Sequence, residues 1–100
     1  MILVVDIGNT NIVIGVYKGN ELVGNWKMVT KNEKTSDEYG IFILNLLEYN
    51  NIDHHNINSA IVSSVVPNVM YSFESAIKKF FNIGPIIVGP GTKTGITMMN

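Results

Sequence analysis

Ile2-Leu3-Val4-Val5-Asp6-Ile7-Gly8-Asn9-Thr10-Asn11 is the stretch from which the rest of this chain is read. An apolar strand runs directly into an acid, a glycine and three small polar side chains, which is the pattern of a β-hairpin able to bind phosphate. The strand fixes Asp6 at its end and Gly8 allows a turn or a close approach to a ligand. The amides that follow, with the Thr10 hydroxyl, can point at phosphate oxygens. A carboxylate faces phosphate only with a cation between them. The pattern therefore predicts a nucleotide with Mg²⁺, the metal or one of its waters held by Asp6. The same residues suit a tight hairpin in which Asp6 caps its own turn, and the stretch alone leaves both readings open.

Working outward, residues 11–17 alternate Ile12, Ile14 and Val16 against Val13, Gly15 and Tyr17, which predicts a second strand antiparallel to the first. Lys18-Gly19-Asn20-Glu21 is a turn, and residues 21–30, with Leu22, Val23, Trp26, Met28 and Val29, supply a third strand. Gly24 marks a bulge or a small residue under the sheet. Thr35-Ser36-Asp37-Glu38 reads as a capping box opening a helix through Tyr39, Phe42, Ile43, Leu46 and Leu47. Residues 59–66 form a buried strand ending at Pro67, and residues 68–81 a second helix. Gly84-Pro85 breaks that helix before a fifth strand, Ile86-Ile87-Val88. The order βββαβαβ predicts an α/β fold with one mixed five-stranded sheet, its first strand central and covered on both faces. The fourth and fifth strands join it in parallel through crossovers over the helices.

One hundred residues make one domain, and 46% hydrophobic against 15% charged residues place it among globular chains. The net charge is −1 and all seven basic residues are lysines, so neither a basic stripe for nucleic acid nor a guanidinium clamp for phosphate exists. The lack of cysteine excludes disulfides, thiolate zinc sites and a cysteine nucleophile. No signal-peptide pattern and no membrane-length apolar run is present, and the expected compartment is the cytoplasm.

Two further polar clusters follow the fourth and fifth strands. Ser63 and Ser64 interrupt an apolar strand just before a helix, where α/β sheets place ligands, although serines there also satisfy local backbone groups. Gly89-Pro90-Gly91-Thr92-Lys93-Thr94-Gly95 combines glycines with a lysine able to bind an anion, yet it is neither a Walker A loop nor a dinucleotide fingerprint. By itself it equally suits a surface loop. His54 and His55 are adjacent, are expected to point in different directions, and read as a solvated loop and not as a metal site.

Asp6 to Asn11, Val62-Ser63-Ser64-Val65-Val66-Pro67 and the loop at 89–95 lie in this order on one predicted sheet edge. Together they closely resemble the type III pantothenate kinases. The Trp26 strand and Thr35-Ser36-Asp37-Glu38-Tyr39 are similar to that family as well, so the resemblance runs from residue 1 to about residue 95. It implies the actin, sugar kinase and Hsp70 type of fold, with two ribonuclease H-like domains around a cleft, residues 1–100 being an N-terminal, ATP-binding domain without its second half. The implied activity is ATP-dependent phosphorylation of pantothenate to 4'-phosphopantothenate, opening coenzyme A biosynthesis, with Mg²⁺ and a monovalent cation, K⁺ or ammonium.

By the same resemblance Asp6, Ile7, Gly8, Asn9, Thr10, Asn11, Ile12 and Val13 would form the ATP phosphate loop, with Asp6 at the metal. Gly89, Pro90, Gly91, Lys93, Thr94, Gly95 and Asn100 would approach pantothenate. Family members carry their general base in a Gly-Ala-Asp-Arg motif, here expected beyond Asn100, so no catalytic residue is assigned within the chain and residues 1–100 alone are expected to be inactive. A homodimer of the full-length protein is implied, with no nucleic acid or membrane partner. Two alternatives stay open: a non-enzymatic accessory role in transcription, as has been attributed to family members, or a kinase for another small alcohol.

Overall fold

The computed structural model describes residues 1–30 and 33–89. Strands β1 (Ile2–Ile7), β2 (Asn11–Lys18) and β3 (Glu21–Val29) form the expected meander. They are followed by α1 (Ser36–Tyr49), a short 3-10 turn (His54–Asn56), β4 (Ser59–Ser64), α2 (Pro67–Phe81) and β5 (Ile86–Val88). The sheet runs β3-β2-β1-β4-β5, with β1 antiparallel to β2 and parallel to β4, and β5 parallel to β4. The predicted βββαβαβ order is therefore the observed one, and β1 is central. The fourth strand ends at Ser64 instead of running to Val66. There the Ser64 hydroxyl accepts from the Val66 amide at 2.8 Å and donates to the Val66 carbonyl at 2.9 Å, closing a turn that peels the chain off the sheet. Pro67 then occupies the first turn of α2, where its missing N–H costs nothing.

Period-two patterning assigns each strand residue to a face. Leu3, Val5 and Ile7 of β1 stand in register with Val16, Ile14 and Ile12 of β2 and with Ala60, Val62 and Ser64 of β4. All the apolar members of this set join Tyr39, Ile43 and Leu47 of α1 and Val69, Phe73, Ala76 and Ile77 of α2 in one core. Among the described residues both helices thus lie on one face of the sheet, so that the helices cover β1 from that side. Val4 stays nearly buried on the other face, at 6% exposure, because it sits between two neighbouring strands opposite Gly15 and Ile61. Gly24 has both of its expected roles: the β2–β3 register shifts beside its partner Val16, and a side chain on it would collide with the Trp26 ring. Gly40 lets α1 and α2 approach, since a Cβ there would meet the ring of Phe80.

The start of α1 is set by the anticipated capping box. The Thr35 hydroxyl accepts from the Glu38 amide at 3.2 Å, and the Glu38 carboxylate accepts from the Thr35 amide at 3.0 Å. Thr35→Ala is expected to cost about 1 kcal/mol in a denaturant titration, and an unchanged midpoint would show that the cap contributes nothing. The backbone bond from Thr35, followed by the hydroxyl bond from the same residue, holds the Glu38 carboxyl below its ordinary value of 4.5. A lowered folded-state pKa adds stability above the unfolded value. The advantage of the native protein over a Glu38→Gln variant therefore exists at neutral pH and is lost as pH falls through the lowered pKa.

Candidate functional site

β1, β4 and β5 all end on one edge of the sheet, where the β1–β2 hairpin, the Ser64–Pro67 turn and Gly89 come together. Asp6 lies on the face opposite the helices. It is in register with Val13 on one side and Ser63 on the other, and the row continues outward to Lys27 on β3 and Val88 on β5. Partial burial raises the Asp6 carboxyl above the ordinary aspartate value. Among the described residues Asp6 joins no salt bridge and no side-chain hydrogen bond. The reading of Asp6 as the cap of its own turn therefore finds no bond in the structure. An unneutralised, partly desolvated carboxylate fits a divalent cation.

The hairpin is held from three directions. Gly8 donates its amide to the Asn11 carbonyl at 2.9 Å, and Val65 donates to the Ile7 carbonyl at 3.1 Å. From the residue just past β3, the Thr30 amide donates to the Thr10 carbonyl at 3.0 Å and its hydroxyl to the Gly8 carbonyl at 3.0 Å. Gly8 is not in the left-handed region; it is needed for room, because a Cβ would lie 3.3 Å from the Asn11 carbonyl oxygen. With the carbonyls engaged, the amides of Asn9 and Thr10 at the hairpin tip have no hydrogen-bond acceptor among the described residues. Such a run of unpaired amides beside exposed Asn9 and Thr10 side chains is suited to anionic oxygens.

The other predicted positions divide clearly. Ile7 and Ile12 are 1% and 0% exposed in the core, so only their main chain can serve a ligand, while Val13 lies on the Asp6 face. The two serines separate by parity: Ser63 stands beside Asp6, whereas Ser64 faces the helices and is used in its local turn. Gly89 follows β5 at the site edge. Pro90, Gly91, Lys93, Thr94, Gly95 and Asn100 lie outside the described residues. Thr30 is the residue the sequence reading missed, a buried hydroxyl at 8% exposure whose partners are twenty or more positions earlier in the chain.

The histidines require a correction. His54 and His55 do not diverge: the 3-10 turn brings their rings to 4.0 Å, and Asp53 Oδ1 lies 2.9 Å from His55 Nδ1. Ligand atoms of Asp53, His54 and His55 all fall within 4.8 Å of one another. The Asp53 carboxylate also accepts the His55 amide, and that bond, ahead of the side-chain one, holds its pKa below the ordinary value. This cluster precedes β4 and so belongs to the end of the sheet away from Asp6, about 20 Å off at the usual rise of a strand. Two surface grooves flank α1, one beside Glu48 and His54 and one beside Lys34 and Phe42, and neither includes the hairpin.

The sheet edge therefore carries unpaired hairpin amides and a partly buried carboxylate side by side, groups able to take an anion and a cation together. The fold is similar to that of a candidate N-acetylglucosamine kinase from Porphyromonas gingivalis, with a TM-score of 0.62 and 17% identity over 89% of this chain and 34% of that one. It is also similar to a ROK hexokinase from Thermus thermophilus, at 0.63 and 13% over 88% of this chain and 33% of the other. These likenesses establish the ribonuclease H-like, sugar-kinase type of fold, and the chain spans about a third of the length of either kinase. Residues 2–99 match the type III pantothenate kinase family, and the chain belongs to that family. Among the described residues no helix is long and apolar enough to cross a membrane.

Proposed function

We propose that this chain supplies the ATP-phosphate half of a kinase that transfers the γ-phosphoryl of ATP to pantothenate, the opening step of coenzyme A biosynthesis. The observation that carries the reading is the hairpin tip with unpaired amides at Asn9 and Thr10 set beside an unneutralised Asp6. Membership of the type III pantothenate kinase family supports the acceptor. In this reading the amides hold phosphate oxygens, Asp6 holds Mg²⁺ or one of its waters, and Ser63 lines the same floor. Mg²⁺ offsets negative charge on the transferring phosphoryl group. The monovalent cation and the homodimer belong to the same proposal, as does the assignment of substrate contact to the 89–95 loop.

The test is ADP formation by the full-length protein with pantothenate, N-acetylglucosamine, glucose and no acceptor. Pantothenate-dependent turnover supports the proposal. Turnover with a sugar alone moves the assignment to another alcohol kinase, and no turnover with any acceptor leaves a non-enzymatic role. Residues 1–100 by themselves are expected to bind MgATP weakly and to show no turnover, because phosphoryl transfer depends on groups held around the nucleotide on more than one side.

A further inference from the structure

We propose that Thr30, just past β3, is the positioning residue of the phosphate hairpin, setting the direction of the amides that receive the nucleotide. The proposal rests on the nucleotide reading of that hairpin. In a planar trans peptide the carbonyl and the following N–H point in opposite directions. The Thr30 hydroxyl draws the Gly8 carbonyl towards β3, and this directs the Asn9 amide away from it. The Thr30 amide draws the Thr10 carbonyl the same way and so directs the Asn11 amide away as well. One residue therefore orients both peptide units that flank the hairpin tip.

Sheet formation alone does not require a hydroxyl there. Valine has nearly the shape of threonine, and its β-branched side chain suits a position of 8% exposure just past a strand. What valine cannot do is donate to the Gly8 carbonyl. Its main-chain bond to Thr10 would survive, leaving the first peptide unit free to rotate while the second is still held.

The experiment compares wild type, Thr30→Val, Thr30→Ser and Thr35→Ala in the full-length protein. It measures MgATP affinity, affinity for the acceptor alcohol, melting temperature and exchange of the Gly8 amide. Thr30→Val is expected to weaken MgATP binding about tenfold, the scale of one lost hydrogen bond, with acceptor binding unchanged. Thr30→Ser should recover most of that loss. Thr35→Ala, which lowers stability without removing any hydrogen bond of the hairpin, should bind MgATP normally. In the ligand-free protein Thr30→Val should speed Gly8 exchange and Thr30→Ser should not. Unchanged MgATP affinity in Thr30→Val, or an equal loss for both ligands, overturns the proposal. If wild type binds no MgATP, the nucleotide reading fails and Gly8 exchange decides: accelerated exchange keeps Thr30 as the residue that orients the hairpin, and unchanged exchange removes that role.

Discussion

Asp6→Asn is expected to lower kcat/KM for MgATP by about 100-fold or more in the full-length protein while raising its melting temperature at neutral pH. The two effects have one origin. Burial disfavours the charged carboxylate, and no described partner compensates it, so the folded state holds its proton more tightly than the unfolded chain does. Stability contributed by this group is therefore greatest in acid and declines as pH rises from the ordinary value of 3.8 through the raised folded value. Asparagine removes that penalty and with it the charge that would hold Mg²⁺. The stability gain of the variant should vanish below pH 3.8, where both proteins carry a neutral side chain. Unchanged kinetics would remove the metal role assigned to Asp6, and a lower melting temperature at neutral pH would contradict the cost of its burial.

Phe73→Ala is expected to cost about 4 kcal/mol, the range for a fully buried phenylalanine. Phe73 is 0% exposed on α2 and stacks on Tyr39 of α1 with ring centroids 4.1 Å apart, so truncation opens a void where both helices meet the sheet. Against a typical domain stability of about 5–15 kcal/mol this is a large fraction, and it corresponds to a fall in melting temperature of about 15 °C or more. Phe73→Leu should recover a good part of the loss, because most of the volume is restored. A shift of only a few degrees for Phe73→Ala would mean that the helices collapse onto the gap and that the Tyr39 stack contributes little.

How far the sequence revealed this molecule depended on whether a residue's role was local. The capping box of α1 was legible because all its partners lie between Thr35 and Glu38. The break at Pro67 between β4 and α2 was legible for the same reason, as was the strand order from the alternation of apolar runs. Thr30 was not, since its hydroxyl is defined by a carbonyl in a distant hairpin turn, and in the sequence it is one polar residue at the head of a polar run. The histidine pair was misread because sequence adjacency sets only the Cα–Cβ directions, whereas the side-chain rotamers adopted in the turn that Asp53 caps bring the two rings together. Ser63 and Ser64 could have been separated: Ala60 and Val62 already mark the even positions of β4 as the core face, which leaves Ser63 for the site.

The alternation along β1 also bears on how the chain finds its register. Leu3, Val5 and Ile7 enter the core while Asp6 remains outside it, so slipping the strand by one residue would exchange the two sets and drive a lone carboxylate under the helices. The wrong pairing is thereby penalised by the same acid that is proposed to hold Mg²⁺. Asp6→Asn or Asp6→Val should loosen that penalty, and the price of a more stable ground state would be a chain with a second pairing within reach during folding.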